Sequence, residues 1–352
     1  MNAQELMRKY ITTIAVCFFI LFACESNSEN EPDTEPDPVI SRPYVVAYLP
    51  SWKMPYAPDW EKITHLCLAF GIVQADGSLN TTEVRKYPTV IQDARKNKVK
   101  VLLSIGGGGS TNFTQAITDP AKRKRLITAL DQAIKDLSLD GIDLDYEEWE
   151  GGPGGASAGD LVKRTALEAT YQELRAKIGE DKLITAAVNA DWDDQGWGYY
   201  NCFNNTMHQY LDFVSLMVYD QTGPWSGSNV GPHSSRDFFE HAANHWLTNR
   251  KLPKKKLVMG VPFYGYLFQS ADNAQGAEAV AYKDILSRYP TENPHLSDQI
   301  GLLYYDGMVT IEGKTDYVRS NELGGIMFWE ITQDTADPEK SLLNVIHQSL
   351  TK

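Results

Sequence analysis

Cysteine is scarce in this chain, which contains four cysteines among its 352 residues. A scaffold held together by disulfide bonds needs a much higher density of cysteine, so that class of protein is excluded. Basic residues are also in deficit, because 33 Lys and Arg stand against 46 Asp and Glu and give a formal net charge of −13. A chain of that sign offers little positive charge for binding nucleic acid, and we expect no nucleic-acid partner.

The apolar run near the N-terminus, residues 11–22, is shorter than the roughly 20 residues that a membrane-spanning helix needs. Two basic residues precede it, and this order is typical of an export signal. The run ends in Leu21-Phe22-Ala23-Cys24, which resembles the lipobox of a bacterial lipoprotein. We therefore expect residues 1–24 to be a lipoprotein signal peptide with Cys24 as the acylation site. Cleavage by ordinary signal peptidase, followed by secretion, is the alternative.

Residues 25–41 are acidic, contain several prolines, and have no apolar residue before position 39. Such a segment cannot contribute to a core and is typical of a disordered, solvated tether. With the acylation site in front of it, the tether predicts a protein anchored by lipid in the cell envelope and exposed at its surface. In a Gram-negative cell this would be the outer membrane, and the lipid anchor would be the only membrane contact.

From residue 42 to residue 352, short β-branched and apolar runs alternate with amphipathic stretches. This alternation favours parallel strands joined by helical crossovers. Eight such units in about 310 residues fit a single-domain (β/α)8 TIM barrel. A doubly wound open sheet is the rival, but Leu49-Pro50-Ser51-Trp52 after the first strand is not its glycine-rich turn. The predicted strands span residues 44–49, 65–72, 99–105, 139–145, 183–189, 213–219, 257–263 and 325–329. The predicted helices span residues 82–97, 120–137, 160–178, 236–249, 280–289 and 339–350.

The connection between the seventh and eighth predicted strands has roughly 60 residues, more than one helix needs. We therefore expect a small insertion there.

Three carboxylates alternate along the fourth predicted strand, in the run Asp140-Gly141-Ile142-Asp143-Leu144-Asp145-Tyr146-Glu147. Because side chains on a strand alternate between faces, Asp143, Asp145 and Glu147 point into the barrel and rise towards its C-terminal rim, where active sites lie. Like charges in one row must share protons, so at least one carboxyl pKa rises. A carboxylic acid that stays protonated near neutral pH can act as a general acid, and Glu147 at the rim is the expected donor.

This run, Asp-x-x-Asp-x-Asp-x-Glu, resembles the signature of glycoside hydrolase family 18, the chitinases and endo-β-N-acetylglucosaminidases. Further motifs resemble those of the family in the right order, and the resemblance covers nearly all of residues 44–350. They are Ser104-Ile105-Gly106-Gly107, Met217-Val218-Tyr219-Asp220 with Gly223-Pro224-Trp225, Gly260-Val261-Pro262-Phe263-Tyr264-Gly265, and Gly324-Gly325-Ile326-Met327-Phe328-Trp329. The resemblance implies a TIM-barrel enzyme that hydrolyses β-linked N-acetylglucosamine (GlcNAc) glycans without a cofactor or a metal.

The resemblance also implies catalytic roles. Enzymes of this family retain the anomeric configuration and use the 2-acetamido oxygen of the substrate as the nucleophile. Glu147 would protonate the glycosidic oxygen, and Asp145 would hold the acetamido N–H. Asp143 would share a proton with Asp145, Tyr219 would donate to the acetamido carbonyl, and Trp329 would form the floor under the −1 sugar.

Other positions are weaker candidates for substrate binding. They are Tyr48, Phe70, Met217, Asp220, Tyr264 and Gly107, together with the loop tryptophans Trp52, Trp149, Trp192, Trp197 and Trp225, some of which should line a sugar groove. Packing in the core is the alternative for Tyr48, Phe70 and Met217. Asp140 and Glu148 are out of step with the carboxylate row, so we interpret Asp140 as a structural brace and Glu148 as a poor rival to Glu147.

Chitin or chito-oligosaccharides are the expected substrates of a monomeric enzyme. The departures from the family pattern include Tyr266, which stands where many chitinases have arginine, and Glu148-Trp149, which replaces Tyr-Pro. These departures, together with an insertion that looks short, suggest an open groove that would suit endo action or branched glycans. The alternatives are an endo-β-N-acetylglucosaminidase acting on N-glycans, an enzyme acting on peptidoglycan fragments, a non-catalytic GlcNAc-binding lectin, and a divalent-cation site at the acidic row.

Overall fold

The computed structural model describes residues 42–151, 155–190 and 202–352. The predicted signal peptide with Cys24, the predicted tether, and the loop residues Trp192 and Trp197 lie outside the described residues. Within the described ranges, no helix has the length and apolar character needed to cross a membrane.

The strands recur at the positions that the alternating pattern predicts, and five further short strands are added to these eight. In chain order they are β1 (Tyr44–Pro50), β2 (His65–Val73), β3 (Leu79–Asn80), β4 (Lys100–Gly106), β5 (Gly141–Asp145), β6 (Leu183–Asn189), β7 (Phe213–Met217), β8 (Leu257–Pro262), β9 (Tyr264–Leu267), β10 (Glu278–Ala281), β11 (Gln299–Ile300), β12 (Leu303–Tyr304) and β13 (Gly325–Trp329).

Eight of these strands close into a parallel barrel in the order β1-β2-β4-β5-β6-β7-β8-β13, and β13 pairs with β1 to complete the circle. The predicted (β/α)8 TIM barrel is therefore confirmed. Strand β7, which corresponds to the sixth predicted strand, ends at Met217, two residues earlier than predicted. Tyr219 consequently lies in the loop above the barrel, next to Asp220, rather than on the strand.

Nine helices lie in the described ranges, and most follow a barrel strand. They are α1 (Thr82–Arg85), α2 (Pro88–Lys96), α3 (Phe113–Thr118), α4 (Pro120–Leu137), α5 (Ala158–Ile178), α6 (Arg236–Thr248), α7 (Tyr282–Arg288), α8 (Met308–Ser320) and α9 (Leu342–Leu350). The predicted helix over 82–97 is wrong in one respect, because it breaks before Pro88. The ring of a proline disfavours helical backbone at the preceding residue, and Tyr87 is not helical, with φ −126° and ψ 62°.

The core has two layers, as expected for a barrel wrapped in helices. Ile142 and Leu144 of β5 are fully buried and join the large cluster between the strands and the helices. Tyr48, Cys67 and Leu102 belong to a second cluster inside the barrel. The alternation of faces along β5 is therefore as predicted, and it turns the carboxylates of this strand towards the barrel axis.

The predicted insertion between β8 and β13 is confirmed and consists of a small antiparallel sheet in the order β10-β9-β12-β11, with the helices α7 and α8. Its first strand, β9, begins two residues after β8 ends, so Tyr264 and Tyr266 lie close to the rim of the barrel. The insertion therefore forms part of the wall above the C-terminal ends of the barrel strands.

Candidate active site

A pocket of about 540 Å³ opens at the C-terminal ends of the barrel strands. Its volume is within the range of small-molecule sites. It is lined by Tyr48, Trp52, Phe70, Gly108, Asp145, Glu147, Ala187, Asn189, Met217, Tyr219, Asp220, Trp225, Tyr264 and Trp329. Nine of the eleven site residues predicted in the barrel line this pocket, while Asp143 lies beneath it and Gly107 lies behind Phe70. Sequence reasoning missed Gly108, Ala187 and Asn189.

The carboxylate row, Asp143, Asp145 and Glu147, rises from the barrel interior to the pocket. At its base, Asp143 is fully buried and accepts three hydroxyl hydrogen bonds. The donors are Tyr48 at 2.8 Å, Ser104 at 2.7 Å and Thr185 at 2.6 Å. Burial raises the pKa of Asp143, while these hydrogen bonds oppose the rise by stabilising the carboxylate.

Asp145 is 4% exposed, and its Oδ1 atom is buried without a hydrogen-bond partner. Burial raises the pKa of Asp145 well above its usual range, and the charges of Glu147 and Asp143 add to the rise. Asp145 and Glu147 are hydrogen-bonded to each other, and this bond raises the pKa of Asp145 and lowers that of Glu147. The two carboxyls therefore titrate as one pair that shares a proton.

The pKa of Glu147 is also raised, first by burial and then by the charge of Asp220. The hydrogen bond from Asp145 and one from the backbone N–H of Gly108 partly oppose this rise. Burial and the charge of Asp220, which lies outside the row, thus favour the protonated form of Glu147.

The glycines after β4 allow the backbone to pass close to the carboxylate row. Gly106 has φ +103°, and a Cβ atom there would lie 2.0 Å from the carbonyl oxygen of Asp145. Gly107 has φ +81°, and a Cβ atom there would lie 2.4 Å from the ring of Phe70. Gly107 therefore makes room for the ring of Phe70 and is not among the residues that line the pocket.

Aromatic rings form the floor of the pocket. The rings of Phe70 and Trp329 are stacked, with centroids 5.8 Å apart and an interplanar angle of 18°. Tyr48 lies 5.8 Å from Trp329, and Trp52 lies 6.3 Å from Phe70. Trp52 is 61% exposed, an unusual position for so large an apolar side chain and one that suggests contact with a ligand. Trp149, by contrast, packs on Tyr146 and does not line the pocket.

A second group of side chains, from later in the chain than Glu147, surrounds Asp220. We call this the Asp220 cluster, and it consists of Asp220, His233, Tyr264 and Tyr266. Asp220 has φ +61° and its Oδ1 atom accepts hydrogen bonds from the hydroxyls of Tyr264 at 2.5 Å and Tyr266 at 3.1 Å. The Nδ1 atom of the buried His233 lies 3.2 Å from the same oxygen.

Tyr219 extends over the pocket from the loop after β7. Burial raises its pKa well above the usual range, and the surrounding carboxylates add to this rise, so the phenol remains a hydrogen-bond donor. Its hydroxyl lies 3.8 Å from the sulfur of Met327, a weak acceptor. The hydroxyl is therefore available to a stronger acceptor on a ligand.

The two acids that are out of step with the row have structural contacts, which the sequence predicted for Asp140 alone. Asp140 accepts hydrogen bonds from the backbone of Val101 at 2.9 Å and from Lys100 at 3.0 Å. Glu148 accepts from the hydroxyl of Ser110 and from the first backbone N–H groups of α3. In the described part of the chain, no cluster of three His, Cys, Asp or Glu side chains is arranged to hold a metal ion.

The chain belongs to the glycosyl hydrolases family 18, because the model of that family matches residues 44–334. The resemblance seen in the motifs is thereby confirmed. Among curated relatives, Chitinase 63 of Streptomyces plicatus is 29% identical over 338 residues, which cover 79% of this chain and 54% of the relative. Chitinase C of Streptomyces lividans is also 29% identical, with 53% of its length covered. The chain thus spans about half the length of these relatives.

Solved structures give the same result for the fold over nearly the whole of their length. A chitinase from Bacteroides thetaiotaomicron has a TM-score of 0.75 and 29% identity, with 88% of this chain and 97% of that chain covered. A family 18 chitinase from the chitin utilization locus of Flavobacterium johnsoniae has a TM-score of 0.73 and 28% identity, with 88% and 94% covered.

Proposed function

We propose that this chain is a retaining glycoside hydrolase that cleaves β-1,4 bonds between GlcNAc units of chitin or chito-oligosaccharides. The observation that carries the proposal is the hydrogen-bonded pair of Asp145 and Glu147. Enzymes that retain configuration through a covalent glycosyl-enzyme separate their two carboxyls by about 5 Å, and inverting enzymes separate them by more. A pair in hydrogen-bond contact cannot flank a sugar in either way, so it suits catalysis assisted by the substrate's own acetamido group.

In the first step, Glu147 transfers its proton to the glycosidic oxygen while the acetamido oxygen attacks the anomeric carbon. The C1–O bond to the leaving sugar breaks and a C1–O bond to the acetamido group forms, which gives an oxazolinium ion. Asp145, whose Oδ1 atom has no protein partner, accepts the acetamido N–H and stabilises the positive charge. Tyr219 donates its hydroxyl to the acetamido oxygen and orients it for attack.

In the second step, Glu147 accepts a proton from water as the water attacks the anomeric carbon and the acetamido group is released. Both substitutions invert the carbon, so the product retains the original configuration. Asp143 supports both steps from below, because its charge is fixed by three hydroxyl donors and contributes to the raised pKa of Asp145.

The aromatic floor supports a polysaccharide substrate. The C–H faces of sugars pack on aromatic rings, and Trp329 with Phe70 provides a stacked surface beneath the carboxylate row. Trp52 and Trp225 also line the pocket and are 61% and 41% exposed. Two further exposed rings are more than a single sugar needs, which favours a chain of several units. The relatives named chitinases agree with this substrate class.

Parallel digestion of chitotetraose and of an N-glycosylated protein tests the proposal, with Glu147→Gln as the inactive control. We expect the wild type to cleave chitotetraose with retention of configuration, followed by NMR of the fresh product. Release of glycans from the protein alone would assign an endo-β-N-acetylglucosaminidase, which shares the acetamido mechanism. Binding of either ligand without cleavage would contradict a hydrolase and favour the lectin.

We further propose that Cys24 is acylated and holds the protein, as a monomer, at the surface of the cell envelope. The support is the short basic and apolar segment before Cys24 and the acidic tether after it. Labelling of cells with a clickable palmitate analogue should mark the wild type and leave Cys24→Ser unmarked. An unlabelled wild-type protein found in the medium would instead indicate secretion.

A further inference from the structure

Asn189 is a pocket residue to which neither the motifs nor the proposed mechanism assigns a role. It is the last residue of β6, and its Oδ1 atom is buried without a hydrogen-bond partner. Among the residues that line the pocket, the only other atom in this condition in the described part of the chain is Oδ1 of Asp145. Buried polar atoms in folded proteins are nearly always paired, so an unpaired acceptor facing a pocket indicates a donor on the ligand.

The register of the barrel places Asn189 beside the proposed general acid. β5 and β6 pair Asp143 with Thr185 and Asp145 with Ala187. The pairing ends there, but the same register continued by two residues would bring Asn189 level with Glu147, and both residues line the pocket. On its other side, Asn189 pairs with Met217 of β7. Because it shares the parity of Thr185 and Ala187, its side chain points into the barrel mouth, between the acid and the loop that bears Tyr219.

None of these neighbours supplies the missing donor. The thioether of Met217 has no hydrogen to donate, and Glu147 directs its hydrogen bonding to Asp145 and Gly108. An amide at this position also has an advantage over a carboxylate, since it supplies an acceptor without adding a fourth negative charge next to the row. The position therefore has the properties of a recognition group that leaves the pKa of the acid undisturbed.

We infer that the carboxamide of Asn189 binds a hydroxyl group of the GlcNAc unit at the cleaved bond and is a substrate-recognition residue. This inference rests on the proposed function in one respect, namely that Asp145 takes the acetamido N–H. A GlcNAc unit within a β-1,4 chain has only N–H and O–H donors, and its free hydroxyls are those at C3 and C6. The donor for Asn189 is therefore one of these two hydroxyls.

Binding to an inactive background tests the inference without relying on turnover. We would measure the Kd of Glu147→Gln and of the double variant Glu147→Gln/Asn189→Ala by calorimetry. The ligands are chitotetraose and two synthetic analogues that lack either the 3-hydroxyl or the 6-hydroxyl on every sugar. On chitotetraose, the loss of Asn189 should weaken binding about tenfold, as expected for a buried hydrogen bond with one partner removed.

The analogue that lacks the recognised hydroxyl should bind the single variant about as weakly, and Asn189→Ala should then cause no further loss. The other analogue should still show the tenfold loss, which identifies the hydroxyl. Equal losses of affinity on all three ligands, or no loss on any, would overturn the inference. A purely structural role of Asn189 would weaken binding to the same extent whether or not the hydroxyl is present.

Two further measurements distinguish a failure of this inference from a failure of the proposed function. In the active enzyme, Asn189→Asp keeps an acceptor but adds a charge, so the alkaline limb of kcat/KM should move to higher pH as the pKa of Glu147 rises. An unmoved limb would place Asn189 away from the acid and contradict the inference. Failure of the wild type to cleave any GlcNAc oligomer would refute the proposed function, while coupling in the binding assay would still establish the hydroxyl contact.

Discussion

The carboxylate row and the Asp220 cluster present acids to the same pocket, but the fold builds them in different ways. The row begins on a barrel strand, where Asp143 and Asp145 are buried, and ends at Glu147 just beyond it; Asp145 contains an acceptor without a protein partner. Asp220 lies in a loop, its side chain is 42% exposed, and two tyrosine hydroxyls donate to one of its oxygens.

The carboxylate row and the Asp220 cluster therefore have different roles. Burial raises the pKa of both Asp145 and Glu147, and the charges of its neighbours in the row raise that of Asp145 further, so the row holds a proton for transfer. Two tyrosine hydroxyls hold one oxygen of Asp220 in place, and the charge of Asp220 acts on the row by raising the pKa of Glu147. Proton transfer thus depends on the rigid barrel, and its tuning depends on a loop that the insertion supports.

The largest expected effect separates two adjacent glutamates. Glu147→Gln removes the proton donor, and we expect kcat to fall by about three orders of magnitude, as loss of a general acid does. The free energy of unfolding should not decrease, because a buried carboxyl with a raised pKa is replaced by a neutral isostere. Hydrolysis of chitotetraose and urea unfolding measure the two quantities.

Glu148→Gln is the matched control, one residue further along the chain. Glu148 accepts hydrogen bonds from Ser110 and from the start of α3, so the change should cost about 1 kcal/mol of unfolding free energy. Its kcat should remain within about threefold of the wild type. A large loss of kcat in Glu148→Gln with normal stability would mean that the parity argument for the row is wrong.

The next effect is on stability and concerns the support of the Asp220 cluster. Lys314 of α8 is fully buried and bonds to Asp306 at 2.6 Å and to both oxygens of Ser234, beside His233. Lys314→Met leaves Asp306 buried without its partner, and we expect a loss of about 3 to 5 kcal/mol in unfolding free energy. Urea unfolding checks this value.

The double variant Asp306→Leu/Lys314→Met is the control, because it removes both charges. It should recover most of the lost stability, since an apolar pair of similar size often replaces a buried ion pair at little cost. If the double variant is as unstable as Lys314→Met, the ion pair is not the cause, and the loss reflects packing of α8 instead.

A smaller effect joins the two regions. Asp220→Asn removes a negative charge that raises the pKa of Glu147, so the pKa of Glu147 should fall. Activity requires the protonated acid and is lost as the pH rises through this pKa, so the alkaline limb of the kcat/KM profile should move to lower pH. We expect kcat/KM at the optimum to fall about tenfold as well.

Asp181→Asn is the control for Asp220→Asn, because it makes the same change of charge at the exposed N-terminal end of β6, the opposite end of the barrel from the pocket. Its alkaline limb should stay in place. An equal shift in both variants would indicate an effect of net charge rather than a contact between Asp220 and the acid.

The barrel and the row could be predicted from the sequence because both depend on short periods. Alternation along β5 places Asp143 and Asp145 inside and Ile142 and Leu144 outside, whatever the loops do. Helix α8 was missed because a lysine and a threonine, Lys314 and Thr315, are buried where an amphipathic pattern expects apolar residues.

The alternation pattern cannot predict the tertiary contacts of the site. His233 reaches Asp220 only through the fold of the intervening loop, and Asn189 is a single amide whose meaning depends on the register of three strands. Tyr266 departs from the family pattern in the sequence, but its hydrogen bond to Asp220 could be predicted only with knowledge of the path that β9 takes.

The smallest expected effect compares the two tyrosines that donate hydrogen bonds to Asp220. Tyr266→Phe removes the longer of two tyrosine bonds to Asp220, at 3.1 Å against 2.5 Å for Tyr264, so kcat/KM should fall two- to threefold, corresponding to about 0.5 kcal/mol. Tyr264→Phe should cost more, because the shorter bond is the stronger and Tyr264 also lines the pocket. The reverse order would mean that Tyr266 itself touches the sugar, as an arginine at this position could, and Tyr266 would then join Asp220 and Tyr264 among the groups that face the substrate.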